Sequence, residues 1–228
     1  MSGTENPPAV LFDVDGTLVD SNYLHVHAWY RAFSDLRIPV QSWKIHRSIG
    51  MDGAKLLETL AADADEDARK QLKELHTQYY QDTTSLLSPL PGAREILDRL
   101  DSLGLQVVLA TSAPEDELAT LRAVLDRDDL ISAATSAEDV ETAKPEPDLV
   151  EIALARANVG PQLAVFVGDA VWDARASVAA GVTCIGVLSG GVSRGELEQA
   201  GAEVVFDNAL DLCTHLAQSP VQRLVDVR

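Results

Sequence analysis

Apolar residues along the chain fall into short unbroken runs separated by longer stretches of helical spacing. Ala9 to Phe12, Leu105 to Ala110, Leu163 to Val167 and Val182 to Leu188 are of strand length, rich in β-branched residues and free of polar alternation. Such runs predict strands covered on both faces, and hence a parallel sheet. Helix ends are marked between them. Pro91-Gly92 opens a helix over Ala93 to Leu103 that Gly104 closes, and Pro114 suits the first turn of Glu115 to Leu125. Gly160-Pro161 ends a further helix running from about Pro147. The alternation predicts a doubly wound α/β domain.

The stretch from Asp20 to about Leu87 breaks this pattern. It carries no convincing strand, whereas Tyr23, His27, Tyr30 and Phe33 make a stripe of helical spacing that Ala54 to Leu60 and Glu66 to Tyr80 continue. A helical insert is expected, leaving the core after the first strand and returning through the polar, proline-bearing segment Thr83 to Pro91. Residues 1–19 and 88–228 then form the core domain and residues 20–87 the insert, with two crossings that suit a hinge. Asp20 or Ser21 is expected to cap the first inserted helix.

Composition narrows the classes. With 46% hydrophobic, 24% charged and 5% aromatic residues, the chain of 228 is neither disordered nor fibrous. Eighteen Lys and Arg against 36 Asp and Glu give a net charge of −18, which argues against nucleic acid or an anionic membrane as partner. An anionic substrate would need a local cation inside its site. Cys184 and Cys213 are too few and too far apart for a disulfide scaffold or a metal pair, and both are expected as small buried hydrophobes. Met1 to Pro8 lacks the pattern of a secretory signal and no run reaches a membrane span of about 18 residues, so a cytoplasmic protein is expected. The acidic run Ala61 to Asp67 is expected as a solvated turn.

In an open parallel sheet, ligands sit outside the carboxyl ends of the strands. The loops there contribute, in order, Asp13, Asp15, Gly16 and Thr17, then Thr111 and Ser112, then Lys144-Pro145, then Gly168-Asp169 and Asp173. Four carboxylates at one sheet edge repel one another unless a cation intervenes, and hard oxygen donors select Mg²⁺. Asp13 and Asp169 are the expected ligand pair, with the backbone carbonyl of Asp15 and with Asp173 directly or through water. Lys144 would supply a second positive charge beside a phosphate. Thr111 and neighbouring backbone N–H groups would hydrogen-bond its oxygens, with Ser112 and Thr17 alongside and Gly16 allowing close approach of the backbone. Asp13 is then the candidate nucleophile and Asp15 the acid and base that protonates the leaving oxygen and activates water.

Asp13-Val14-Asp15-Gly16-Thr17-Leu18, Thr111-Ser112, Lys144-Pro145 and Gly168-Asp169-Ala170-Val171-Trp172-Asp173 resemble the four motifs of the haloacid-dehalogenase-like hydrolases. The resemblance spans nearly the whole chain and implies a Rossmann-like core with a small α-helical cap inserted after the first motif. Within that superfamily the cap and the tail, with Gly190-Gly191 and Ala200-Gly201-Ala202, are similar to the branch of phosphoglycolate phosphatases and β-phosphoglucomutases. Asp15 argues against the dehalogenase and phosphonate-hydrolase branches, which lack an acid/base Asp there. The mutase pattern places an arginine closely after the cap-loop glycine, whereas Ile49-Gly50-Met51-Asp52-Gly53 puts Gly53 near that position. Hydrolysis of a small phosphorylated metabolite is the favoured expectation, phosphomutase the alternative, and a non-catalytic binding protein the third. Arg47 is a candidate for a distal phosphate or carboxylate, His25 for a contact near the hinge, and His46 for the substrate side of the cap, while Trp172 is expected to pack. A monomer suffices for such chemistry, with a homodimer as the alternative.

Overall fold

The computed structural model describes residues 6–139 and 144–227; Met1 to Glu5, the start of the polar amino-terminal stretch, lies outside the described residues. Strand β1 (Ala9–Phe12) is buried at every position and hydrogen-bonds in parallel to β2 (Gln106–Ala110) on one side and β4 (Ala164–Gly168) on the other. With β3 (Ile131–Thr135), β5 (Thr183–Val187) and β6 (Ala202–Phe206) the order is β3-β2-β1-β4-β5-β6, all neighbours parallel. The order reverses direction between β1 and β4, which opens a crevice at their carboxyl ends. The doubly wound sheet is thus the one that the apolar runs predict.

Alternate residues of the central strands feed two cores. Val10, Phe12, Val107, Leu109, Val165 and Val167 meet the apolar sides of α5 (Ala93–Ser102), α6 (Glu115–Leu125), α10 (Ala209–Thr214) and α11 (Val221–Asp226). Ala9, Leu11, Val108, Ala110 and Phe166 meet α7 (Asp148–Ala157) and α8 (Val171–Ala179) on the opposite face. Further out, α9 (Arg194–Ala200) packs Leu197 on Cys184 and Ala174.

The strands that the runs miss are the two edges. β3 and β6 expose Ser132 and Glu203, because an edge strand needs only part of its surface covered and so carries no unbroken apolar run. Helix α7 ends at Asn158, whose φ of 53° supplies the left-handed stop, so Gly160-Pro161 begins the next turn rather than closing this one. Cys213 lies on α10 and is only partly buried, with α11 following.

Between β1 and β2 the chain forms α1 (Asn22–Asp35), α2 (Ser42–His46), α3 (Gly53–Leu60) and α4 (Glu66–Gln81) around their own apolar cluster of Val26, Trp29, Phe33, Ile45, Leu57 and Leu72. The buried side of α1 is not the expected stripe. Tyr23 is 59% and Tyr30 50% exposed, while His25, Ala28, Trp29, Ala32 and Phe33 face inward. Two alanines four residues apart leave room for α4 to approach, and the phenols keep their hydroxyls in water. The segments entering and leaving this region pair with each other: Leu90 N–H donates to Leu18 O and Asp20 N–H to Ser88 O, both at 2.9 Å.

Candidate active site

Asp13 continues the ladder one residue past β1, its N–H donating to Val167 O at 2.9 Å, which fixes the carboxylate at the mouth of the β1/β4 crevice. The turn that follows needs a glycine. Gly16 has a φ of 75°, and a Cβ there would stand 2.2 Å from Asn22 Nδ2 and 2.6 Å from Asp169 Oδ2. Asp169 follows β4 and accepts from Thr17 Oγ1 at 3.0 Å and Asn22 Nδ2 at 2.9 Å. Asp173, in the first turn of α8, accepts the Ala170 N–H at 2.9 Å. Lys144 is fully buried and places Nζ 2.7 Å from Asp13 Oδ1 and 2.7 Å from Asp173 Oδ1.

Oxygens of Asp13, Asp169 and Asp173 lie within 4.8 Å of one another, against one ammonium. Burial pushes Asp13 well up, with Lys144 pulling back and Asp173 and Asp169 adding to the rise. Burial, then Asp173, raises Asp169 to about 7. Lys144 stays charged because Asp13 and Asp173 outweigh its burial. A buried carboxylate cluster short of positive charge, built of hard oxygen donors, fits a Mg²⁺ ion. Asp13, Asp169 and Asp173 together supply the oxygens that could hold it.

Asp15 lies in different surroundings. Ser21 Oγ donates to its Oδ1, and His25 Nε2 lies 3.4 Å from the same oxygen. Ser21 occupies the N-cap position of α1 without capping it, because its hydroxyl turns back to Asp15. His25 Nε2 also lies 3.2 Å from Glu117 Oε1 on α6, and its Nδ1 is 3.2 Å from His76 Nε2 on α4. The ring stacks on Tyr80 at 4.0 Å between centroids, and His76 stacks on Trp29 at 4.1 Å. Burial opposes charge on His25, but Glu117 and then Asp15 outweigh it and raise its pKa to about 10. Burial and the neighbouring imidazolium hold His76 well below the usual histidine range. Burial also works against the Asp15 carboxylate, yet His25 and Ser21 hold it below its ordinary value.

Both ends open on one cleft of about 390 Å³, walled by Asp13, Asp15, His25, Thr111, Ser112 and Lys144 from the predicted set. Thr111 follows β2 and accepts the Ala113 N–H at 3.0 Å through Oγ1. The other predicted residues stand elsewhere. Gly16 and Thr17 are not part of the cleft wall, and Thr17 holds Asp169. Arg47 is not brought to it: its guanidinium pairs with Glu196 at 2.6 Å beside Trp172, in a separate groove. His46 turns to Gly190 O at 2.9 Å and stacks on Tyr23.

Glu117, His76 and Asn22 are absent from the sequence expectation. Glu117 reads locally as one of three acidic residues in a helix's first turn, yet it lies four residues before buried Leu121. His76 lies midway between buried Leu72 and Tyr80, a spacing of four that puts all three on one side of α4.

A model of the haloacid dehalogenase-like hydrolase family matches residues 10–187. The chain belongs to the haloacid dehalogenase-like hydrolases. Among members of the family, it is 31% identical over 217 residues to a phosphoglycolate phosphatase of Rhodospirillum rubrum, covering 90% of this chain and 89% of that one. It is 28% identical over 176 residues to a phosphorylated carbohydrates phosphatase of Thermotoga maritima, covering 76% and 82%. The crystal structure of a hydrolase from Pseudomonas syringae superposes with a TM-score of 0.89 at 37% identity, covering 92% of this hydrolase and 98% of that chain. Among the described residues, no helix of this hydrolase is long and apolar enough to cross a membrane.

Proposed function

We propose that this hydrolase is a Mg²⁺-dependent phosphatase of a small phosphate monoester, working through an aspartyl phosphate on Asp13 with residues 20–87 as its cap. The observation that carries the proposal is the pair Asp13 and Asp15 on one cleft, the first against Lys144 and the carboxylate cluster, the second against a histidine. Mg²⁺ held by Asp13 and Asp169 would neutralise phosphoryl charge as it passes to the enzyme. The Asp13 carboxylate attacks phosphorus as the ester P–O bond breaks, and Asp15 relays to the leaving oxygen a proton drawn from the His25 imidazolium beside it. In the second half Asp15 takes a proton from water, which attacks the phosphoryl group and restores Asp13. Lys144 orients Asp13, and Thr111 and Ser112 face the phosphoryl oxygens.

The named relatives act on phosphoglycolate and on phosphorylated carbohydrates, and substrates of that size suit the cleft. Its insert side is largely apolar, with Trp29, Ile49, Met51 and Leu56, and carries Lys73. Hydrolysis is favoured over isomerisation because Gly53, not an arginine, follows the cap loop and Arg47 is engaged elsewhere. The test is phosphate release from phosphoglycolate and a panel of sugar phosphates, with and without Mg²⁺, for wild type and Asp13→Asn. Mg²⁺-dependent release that falls at least ~10³-fold in the variant is expected. Isomer formation with little free phosphate would replace the proposal with a mutase, and silence in both channels would overturn it.

A further inference from the structure

Glu117 stands partly buried at the wall of the cleft and reaches neither Asp13 nor the carboxylate cluster, so the proposed chemistry leaves it without a task. Its carboxylate meets His25 Nε2 at 3.2 Å. The two residues come from different parts of the molecule, Glu117 from the core helix α6 and His25 from the first helix of the insert. Asp15, on the loop after β1, is the third member: a carboxylate oxygen of Asp15, a ring nitrogen of His25 and a Glu117 carboxylate oxygen all fall within 4.8 Å of one another. The imidazole plane is fixed by the stack on Tyr80, and Nδ1 is fixed by His76 at 3.2 Å. Only the Nε2 edge is left to choose between the two carboxylates.

We infer that Glu117 is a positioning residue, which clamps the Nε2 edge of His25 across the insert–core boundary and thereby orients Asp15 for proton transfer. The inference rests on the phosphatase reading of the cleft. Without Glu117 the Nε2–H has Asp15 as its sole acceptor, and the ring is drawn wholly onto the group that must exchange protons with leaving group and water. With Glu117 the ring is held from the core side as well, so that Oδ1 of Asp15, which Ser21 and His25 both meet, stays in one place and the second oxygen keeps its direction. Because one partner rides on the insert, the clamp closes only when α1 is seated on the core.

The experiment compares Glu117→Ala and Glu117→Gln, each alone and with His25→Ala, using the phosphate-release assay on whichever ester of the panel turns over. The His25 ring N–H resonances are followed by NMR in parallel. Glu117→Ala is expected to lower kcat about tenfold with KM changed less than about twofold, and Glu117→Gln, which still offers an oxygen to Nε2–H, to recover to within about threefold. In the His25→Ala background Glu117→Ala is expected to add less than about twofold. An unchanged kcat in Glu117→Ala overturns the inference, as does an equal tenfold loss when His25 is already absent. If wild type turns over no ester, the phosphatase reading fails by itself. The NMR arm then decides: an exchange-protected Nε2–H kept in Glu117→Gln and lost in Glu117→Ala upholds the clamp, and a signal indifferent to both overturns it.

Discussion

The two ends of the cleft are built by different means, although Asp13 and Asp15 are only two residues apart. Around Asp13 the charged partners belong to the core: Lys144 lies 2.7 Å from Asp13 and from Asp173, the three carboxylates lie within 4.8 Å of one another, and Asn22 is the insert residue that reaches Asp169. Around Asp15 the partners Ser21 and His25, with His76 and Tyr80 behind them, come from the stretch between β1 and β2, and Glu117 comes from the core helix α6. The first end is short of positive charge and asks for a cation. At the second, an imidazolium stands between two carboxylates and a second, neutral histidine accepts its remaining N–H. Asp13 is thus set by the sheet itself, while Asp15 is set by where the helices between β1 and β2 sit.

The sharpest way to break this contrast is Lys144→Met. The substitution roughly keeps the volume but removes the one cation from a fully buried cluster, leaving Asp13 and Asp173 facing each other. Loss of one partner from a buried ion pair costs about 3–5 kcal/mol, because the remaining charges are uncompensated. Urea unfolding of the metal-free variant is expected to show a loss of that size, and phosphate release is expected to fall below detection. A stability equal to wild type would mean that the carboxylates are solvated and that the core end is not closed.

How much of this is legible in the sequence follows the same division. Asp13, Thr111 and Asp169 announce themselves because each ends an apolar run, and in a parallel sheet the residue after such a run is at the ligand edge. Lys144 is legible by its place in the order of loops and its neighbour Pro145. The partners of Asp15 are not legible in that way. Glu117 and His76 lie inside helices, where a polar residue is ordinarily solvated, and their burial depends on α1, α4 and α6 meeting from 40 to 90 positions apart. The stripe read on α1 fails for a related reason: hydropathy ranks Tyr23 and Tyr30 as core, whereas packing chooses the side with Ala28 and Ala32, where another helix can approach. Thr17 and Arg47 are chemically plausible toward phosphate, but their directions are set by Asp169 and Glu196, which sequence spacing does not reveal.

The insert end is sharpened by pH. The folded protein holds the His25 proton up to about 10, against 6.5 for a free histidine, because Glu117 and Asp15 outweigh the cost of burial. A raised histidine pKa means that folding takes up protons between those values. The stabilisation is complete below pH 6.5 and is lost as pH rises through about 10. Thermal melts of wild type and His25→Gln from pH 6 upward are expected to be farthest apart at the acid side and to converge near the folded pKa of about 10. A gap independent of pH would mean that His25 is held neutral by packing alone, and the second end of the cleft would lose its charge argument.

The smallest expected effect tests where the insert's contribution to the cleft stops. Arg47 and Glu196 form an ion pair 43% and 39% exposed, joining the turn after α2 to α9 away from the carboxylates. Exposed pairs contribute about 0–1 kcal/mol, which in a chain of this length moves Tm by less than about 4 °C. Arg47→Ala is therefore expected to leave kcat/KM within about twofold of wild type and to lower Tm only slightly. A tenfold rise in KM for a sugar phosphate would instead mean that the guanidinium leaves Glu196 for the far end of the substrate when the insert moves. The insert would then bind leaving group as well as orient Asp15, and a second anionic group on that leaving group would become the feature the enzyme selects.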